Sequence, residues 1–332
     1  MHISFNTSPS GLNLNTGYGL AGYGIVTAMQ RVGHTVGYKD SSAKVELAFC
    51  MPDASDWSNP DAYHIQMTPW ESTKLPWGWI ENFNLADEVW ATSQWVADLY
   101  RREGVTVPIR VYEHGIDPMW TPRRRRRADG PIKFLHVGEP APRKGGQMAL
   151  EAFHDAFGDS RDVHLTIKAW TNSTVRVYDR KHVSILGQPQ DLYNNVKTRY
   201  DDCSEAEMVY IFHRHDVLVY PSMGEGFGLI PLQALGTGMV TICTEAWAPY
   251  KRFLEPELSL GSTLVDSQWE TMHPGKFYLP DYDDLKSAYL YTAENFNRLA
   301  GRAYRNSFKV HKEYDWSVLT NNALQHIVDE FG

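Results

Sequence analysis

Short apolar runs alternate with longer amphipathic stretches along this chain. Each apolar run has the length of a buried strand, and each amphipathic stretch has the length and periodicity of a helix. Three such pairs are Ile3 to Phe5 with Leu20 to Val32, Glu88 to Ala91 with Gln94 to Glu103, and Ile132 to Val137 with Gln147 to Phe157. Strands alternating with helices are typical of a mostly parallel sheet covered on both faces. We therefore predict an α/β protein.

The alternation pauses near the middle of the chain. It stops at Asp117 to Pro122, passes through Arg123 to Arg127, and restarts with a strand at Pro131 to Val137. The 332 residues, 42% of them hydrophobic, are enough for two domains of roughly 150 residues each. We predict one domain at residues 1–128 and a second at 129–310. A C-terminal helix within 311–332, capped by Asp315 or Ser317, is expected to pack back on the first domain.

Composition narrows the function classes. A net charge of -8 does not favour a nucleic-acid or anionic-membrane partner for the chain as a whole. Cys50, Cys203 and Cys243 are too few and too widely spaced for a disulfide framework or a zinc site, which indicates a reducing cytoplasm. There is no signal-peptide pattern after Met1, and no apolar run approaches the length of a membrane span. We expect a cytoplasmic protein without a transmembrane segment.

A glycine-rich segment near the N-terminus has the form GxGxxG, from Gly17 to Gly22, and Asp40 lies 18 residues beyond it. This pattern raises the hypothesis of an NAD-dependent dehydrogenase. In that fingerprint, however, the first glycine follows the strand almost at once, whereas here eleven residues separate Phe5 from Gly17. The loop still suits a phosphate, and we expect Gly17, Tyr18 and Gly19 to contact it. Alternatively, the glycines only permit a tight bend and close helix packing.

The most informative segment runs from Val219 to Gly238. An apolar strand leads into a glycine-bearing loop with one acid, Glu225, and then into a helix that ends in glycine. The free N–H groups at such a helix start suit an anion, here those of Phe227, Gly228 and Leu229. The carboxylate of Glu225 can accept hydrogen bonds from sugar hydroxyls. Gln233, eight residues later, can hold ribose hydroxyls.

The sequence PS-x-x-EGFGL, followed by a helix that closes in xGxG, resembles the signature of glycosyltransferase family 4. The resemblance extends to four further segments in matching order. These are Gly33 to Val36, Ala86 to Ser93, His114 to Asp117, and the loop Gly138 to Gly146. The resemblance implies the GT-B fold, in which two Rossmann-like domains with parallel sheets face each other across a cleft.

The resemblance also implies site residues and a reaction. Arg143 and Lys144 would contact the donor diphosphate, Glu225 the sugar, Gln233 the ribose, and a loop at Gly187 the base. Gly226 would also contact the donor. The implied activity is that of a retaining hexosyltransferase that uses a nucleoside-diphosphate sugar, with UDP or GDP as the expected nucleotide. No metal or other cofactor is implied, because arginine and lysine replace the divalent ion. Asp281 to Asp283 has the DxD form of metal-binding glycosyltransferases, but we interpret it as a polar loop.

Two departures from the family pattern leave an alternative open. Gln233 stands where the family usually has glutamate, and Glu139 stands where many members have arginine. An acid beside a diphosphate would repel it, so we expect Glu139 to point away. We expect Arg143 to take over the role of the arginine that many members have at position 139. The alternative is an inactive sugar-nucleotide-binding or scaffold protein that retains the fold.

The acceptor is the least determined partner. His64, Glu71 and Lys74 belong to a polar and aromatic segment that we expect to face the cleft, with His64 near the transferred sugar and Glu71 and Lys74 toward the acceptor. A buried, hydrogen-bonded role for His64 is the alternative. The acceptor hydroxyl can belong to a glycan, a lipid-linked glycan, a protein or a modified nucleobase. Arg123 to Arg127 would suit a nucleic acid, but residues 1–122 hold 13 acids and 7 bases, which favours a solvated linker instead.

Overall fold

The chain folds around two six-stranded parallel sheets, as a computed structural model describes it for residues 1–8, 13–14, 16–126, 130–169 and 193–331. The strands of the first sheet are β1 (His2–Thr7), β2 (Thr35–Gly37), β3 (Val45–Phe49), β4 (Tyr63–Thr68), β5 (Glu88–Ala91) and β6 (Ile109–Val111). Their spatial order is β2-β1-β3-β4-β5-β6. The prediction of an α/β protein with two parallel-sheet domains is confirmed.

The second sheet has the Rossmann strand order. Its strands are β7 (Ile132–Val137), β8 (Val163–Lys168), β9 (Val196–Arg199), β10 (Val217–Tyr220), β11 (Val240–Thr244) and β12 (Ser259–Leu260). From one edge to the other, the order is β12-β11-β10-β7-β8-β9, so the order reverses between β7 and β10. Ligands of such sheets bind at this reversal, beyond the carboxyl ends of the strands. An antiparallel pair, β13 (Ser262–Asp266) and β14 (Lys276–Pro280), follows.

The helices lie on the faces of the two sheets. The helices described are α1 (Gly17–Arg31), α2 (Trp79–Phe83), α3 (Gln94–Glu103), α4 (Gly146–Phe157), α5 (Glu205–Arg214), α6 (Leu229–Gly236), α7 (Tyr282–Glu313) and α8 (Trp316–Phe331). Their starts are set by side-chain caps where the sequence offers one. Thr16 caps α1, Ser93 caps α3, and Ser204 with Glu207 forms a capping box on α5.

Strand alternation places a core on each face of the second sheet. Ile132 and Phe134 of β7 point to the core under α4 and α7, whereas Leu135 points to the core under α5 and α6. A helix-covered parallel sheet must be apolar on both faces. The strand therefore reads as an apolar run, which is why its limits could be predicted from sequence.

The C-terminal helix α8 belongs to the core of the first domain. Trp316, Leu324 and Ile327 are buried with residues of α1 and the first sheet, and the Tyr112 hydroxyl lies 2.7 Å from Thr320 Oγ1. Asp315 Oδ1 accepts the N–H groups of Ser317 and Val318, so Asp315 rather than Ser317 caps this helix. The predicted boundary between 128 and 129 lies outside the described residues.

Candidate active site

A cleft of about 460 Å³ lies where the two domains meet. Its walls come from the loops after β7 and β10 of the second sheet and from the α1 and β4 ends of the first domain. The lining includes Gly17, Glu71, Gly138, Arg143, Lys144, Glu225 and Gln233. The cleft therefore occupies the position that the strand order of the second sheet predicts for a ligand.

Four side chains converge on one carboxylate oxygen in this cleft. Glu225 Oε1 accepts hydrogen bonds from Lys144 Nζ at 2.6 Å, from Ser222 Oγ at 2.6 Å and from the Tyr220 hydroxyl at 3.0 Å. Arg143 Nη1 lies 3.6 Å from the same oxygen. Charge-assisted bonds of this kind are the strong ones in proteins, so they hold the Glu225 carboxylate in one position.

Arg143 connects the two domains. Its Nη1 donates to the carbonyl oxygen of Gly224 at 2.6 Å, and its Nη2 lies 3.7 Å from Glu71 Oε1 of the first domain. Arg143 and Lys144 stand on a single 3-10 turn, Pro142–Lys144, that precedes α4. The turn holds both cations at the sheet edge.

Burial and charge set the protonation of this cluster. Burial acts to raise the pKa of the Glu225 carboxyl, but the charges of Lys144 and Arg143 outweigh it, so the pKa lies below its usual value. Burial and the charge of Arg143 lower the pKa of the Lys144 ammonium, and Glu225 partly offsets them. For Arg143, burial is outweighed by Glu71 and Glu225, which raise its pKa. The two cations and two carboxylates balance one another.

Two glycines allow the loops to close around the cluster. Gly145 has φ +71°, and a Cβ there would lie 2.1 Å from the Pro221 carbonyl oxygen. A Cβ on Gly226 would lie 2.6 Å from Pro69 Cβ in the first domain, and the Gly226 carbonyl accepts from Thr92 Oγ1 at 2.8 Å. A side chain at either position would separate the loops that form the cleft.

The start of α6 faces the same cleft. Gly228, the residue before the helix, has φ +83°, and Gly226, Phe227, Gly228 and Leu229 all line the cleft. The first N–H groups of a helix have no partner within it and suit an anion. The Phe227 ring is buried against His114, with centroids 5.0 Å apart, so this residue offers its backbone rather than its ring.

Comparison with known proteins shows what this geometry is similar to. Residues 85–247 match the model described as Family 4 Glycosyltransferase in conflict systems. Two solved structures cover nearly all of this chain: a sucrose-phosphate synthase from Thermosynechococcus elongatus and a glycosyltransferase from Rickettsia africae. The first has a TM-score of 0.70 and 14% identity over 100% of this chain and 99% of its own. The second has a TM-score of 0.70 and 13% identity over 99% of this chain and 98% of its own.

A third structure was solved with a nucleotide. The HepE protein of Anabaena, in complex with UDP, aligns with a TM-score of 0.66 and 14% identity over 99% of this chain and 100% of its own. No curated protein matches the sequence. The chain is a GT-B glycosyltransferase that resembles family 4.

Most of the predicted site residues of this glycosyltransferase line one cleft. Those brought together are Gly17, Tyr18, Glu71, Arg143, Lys144, Glu225, Gly226, Phe227, Gly228, Leu229 and Gln233. Gly17 faces open space, while Tyr18 stacks on Phe49 with ring centroids 4.3 Å apart. Gly19 lies inside α1, where a Cβ would clash with the Asn13 carbonyl oxygen at 2.0 Å, so it serves packing rather than contact. Gly187 lies outside the described residues.

The predicted position of His64 in the glycosyltransferase is wrong. His64 lies near the amino end of β4, whereas the cleft lies beyond the carboxyl ends of the strands. Its ring stacks on Trp57 with centroids 4.2 Å apart, and Nε2 lies 2.8 Å from the Asn59 carbonyl oxygen. The alternative of a packed, hydrogen-bonded histidine is the one observed.

Two other expectations also need correction. Lys74 is exposed and lies outside the cleft lining, because its loop turns toward Gly275 of the segment before β14. Glu139 is an exposed residue of the cleft lining, and the expectation that its carboxylate points away from the diphosphate stays a prediction. Asp281 of the DxD segment caps α7 by accepting the N–H groups of Asp283 and Asp284, which makes the segment a helix start rather than a loop.

Sequence reasoning missed three residues of the site. Tyr220 and Ser222 hold Glu225, and both stand in the strand and loop that carry the signature. His114 lines the cleft, and burial lowers the pKa of its imidazole to about 3, so it is neutral across the physiological range. Polar residues three to five positions before a buried acid are the signal that could have identified the first two.

The described residues contain no group of three or more histidine, cysteine or acidic side chains suited to a metal. No helix within them is long and apolar enough to cross a bilayer.

Proposed function

We propose that this glycosyltransferase moves a hexose from a nucleoside-diphosphate sugar to an acceptor hydroxyl with retention of the anomeric configuration and without a metal. UDP or GDP is the proposed nucleotide. The observation that carries the proposal is the cluster of Lys144, Arg143 and Glu225 beside Gln233 in one interdomain cleft. The UDP bound in the Anabaena neighbour supports the choice of nucleotide class.

The cluster offers cations for the diphosphate of such a donor and a carboxylate for its sugar. When the bond between the anomeric carbon and the phosphate oxygen breaks, negative charge collects on the departing nucleoside diphosphate. In the proposed reaction, Arg143 and Lys144 stabilise that charge in the interdomain cleft. Glu225 would accept hydrogen bonds from the sugar hydroxyls. The amide of Gln233 would donate hydrogen bonds to the ribose hydroxyls or accept them.

The reaction needs no protein nucleophile. In the proposed step, the acceptor oxygen bonds to the anomeric carbon on the face from which the diphosphate departs. The acceptor proton passes to the departing phosphate oxygen, so charge and atoms balance. The role of the protein is to hold both substrates and to stabilise the leaving group.

The acceptor hydroxyl would enter from the first-domain wall. Glu71 stands on that wall, within 3.7 Å of Arg143 Nη2 and of His273 Nδ1. We propose Glu71 as the acceptor-side carboxylate.

The test is calorimetric titration with UDP, GDP and ADP in the presence of EDTA. Wild type is compared with Lys144→Ala, Glu225→Ala and the control Lys251→Ala, which removes an exposed lysine paired with Glu245. We expect one nucleotide to bind selectively, with the binding lost in Lys144→Ala and kept in Lys251→Ala. Failure of all three nucleotides to bind would overturn the proposal.

A second measurement separates an enzyme from a binding protein. The sugar donors of the preferred nucleotide are incubated with the protein, and proton NMR follows the anomer released to water. Release of the retained anomer, abolished in Glu225→Ala, supports retaining transfer. Tight donor binding without hydrolysis or transfer to any hydroxyl compound tested would favour the inactive scaffold. Binding of NAD in preference to the nucleoside diphosphates would favour the dehydrogenase.

A further inference from the structure

A second cavity lies at the amino ends of the strands of the second sheet, opposite the end that faces the cleft. It measures about 490 Å³ and is lined by Arg123, Arg124, Arg125, Arg126, Gly130, Pro131, Ile132, Lys133, His213, Arg214, Asp216 and Phe296. We call it the arginine hollow. It lies at the start of β7, six residues from the end that opens into the cleft. At about 3.3 Å per residue, the two sites are on the order of 17 to 20 Å apart.

The hollow has a strong local excess of positive charge. Six cationic side chains and one carboxylate, Asp216, line it among the described residues, which leaves a net charge of +5. The whole chain, by contrast, carries -8. Like charges held this close destabilise the fold, so an anion that fills the hollow would relieve the repulsion.

Part of the arginine run is structural. Arg125 is only 5% exposed, and its guanidinium donates to the carbonyl oxygens of His215 at 2.7 Å, Thr237 at 2.6 Å and Phe212 at 2.8 Å. Arg123 donates to the His213 carbonyl oxygen. These bonds fix the backbone of the run against the end of α5. The prediction of a solvated linker is therefore wrong at Arg125.

The remaining cations are free to contact a ligand. Arg124, Arg126 and Arg214 are exposed, and Lys133 is half-buried. Within the described part of the chain, none of the four has a carboxylate within salt-bridge distance. Guanidinium groups that surround a cavity, on a backbone held in place by hydrogen bonds, can contact several phosphates at once.

The shape and lining of the hollow favour one class of polyanion. A flat bilayer surface cannot reach the floor of a concave site. A single phosphate would neutralise at most two of the five excess charges. Pro131 contributes partly exposed apolar surface beside the cations, whereas Ile132 and Phe296 of the lining are buried. An inorganic polyphosphate would leave the Pro131 surface unused. A single-stranded nucleic acid supplies both repeated phosphates and planar bases that stack on guanidinium and apolar groups.

We propose that the arginine hollow binds single-stranded nucleic acid through its phosphodiester backbone. The site is separate from the cleft, and the proposal does not depend on the donor or the reaction. It brings a nucleic-acid partner to a glycosyltransferase whose first domain is acidic.

The test measures fluorescence anisotropy of labelled 12-nucleotide DNA and RNA single strands over a salt series. The variant Arg124→Ala/Arg126→Ala removes two exposed cations of the hollow. Lys44→Ala/Arg101→Ala removes two exposed cations of the first domain and serves as the charge-matched control. Melting temperatures verify that both variants fold.

The expected result is binding that weakens with salt. Each phosphate contact on a single strand contributes about -0.7 to the slope of log K against log salt. The hollow variant should therefore lose about 1.4 in slope, while the control keeps the wild-type slope. UDP or GDP titration should be unchanged in the hollow variant, since the cleft is intact.

Three results would overturn the proposal. They are no binding at low salt, equal weakening in the hollow and control variants, and stronger competition by inorganic polyphosphate than by an unlabelled oligonucleotide. The last would assign the hollow to a polyphosphorylated ligand without bases. A nucleic acid displaced by saturating UDP would place its site in the cleft and would also contradict the proposal.

Discussion

The cleft and the arginine hollow are two cationic regions at opposite ends of the same strands, and they differ in what opposes their charge. In the cleft, Arg143 and Lys144 face Glu71 and Glu225, and the whole described lining holds three cationic side chains and four carboxylates, so no positive charge is in excess there. In the hollow, five of the six positive charges have no carboxylate opposite them among the described residues. A balanced cluster suits a ligand that carries both phosphates and hydroxyls, whereas an unbalanced one suits a polyanion.

The largest expected effect tests the cleft. Lys144→Ala removes one of the two cations that would stabilise the leaving diphosphate. Removing one such group typically lowers the rate about 10² to 10³-fold. Donor hydrolysis, compared as kcat/KM so that weakened donor binding is included, verifies this, with Lys251→Ala as the control. A loss no greater than that of the control would mean that the cluster does not act on the leaving group.

The next effect tests whether the hollow is built on a structural arginine. Arg125→Ala removes the three hydrogen bonds that the guanidinium donates to the carbonyl oxygens of Phe212, His215 and Thr237. We expect a loss of about 3 kcal/mol in the free energy of unfolding. Arg124→Ala, by contrast, should change it by less than about 0.5 kcal/mol. Urea denaturation measures both free energies of unfolding. Equal losses in the two variants would contradict the assignment of Arg125 as structural and Arg124 as free.

A pH series tests the balance of charge in the cleft. The pKa of Glu225 is lowered in the folded protein from an ordinary value of 4.5, so its ionisation adds stability above pH 4.5 that is lost as pH falls through the folded pKa. Glu225→Gln should therefore cost about 2 kcal/mol at pH 7 and less below pH 4.5. Denaturation at both pH values measures the difference. The same cost at both would show that the charge of Glu225 adds nothing to stability.

The smallest effect concerns the departure from the family pattern. Gln233→Glu introduces the acid that the family usually has, and a charge-assisted bond to the ribose adds about 1 kcal/mol, or roughly fivefold in affinity. Calorimetry with the preferred nucleotide measures it, with Gln94→Glu on α3 as a surface control. An unchanged affinity would indicate that Gln233 does not contact the ribose.

The sequence predicted the half of the site that local motifs encode. Arg143, Lys144 and Glu225 stand in two short loops that follow apolar strands, so their place at the sheet edge could be read directly. His64 could not be placed, because its segment was interpreted only as polar and aromatic and the strand Tyr63–Thr68, which puts His64 at the amino end, was not predicted. The hollow was missed because Lys133 and Arg214 are distant in sequence from the arginine run and meet it only in the fold.

The return of α8 to the first domain affects the order in which the chain can fold during synthesis. The first sheet is complete when Val111 has left the ribosome, but Trp316, Leu324 and Ile327 of its core are made about 200 residues later. Until then α1 has an uncovered apolar face. The second domain, whose two cores depend on α8 for only a partly buried contact from Leu319, is synthesised in the meantime. The domain translated first is therefore the last to be completed.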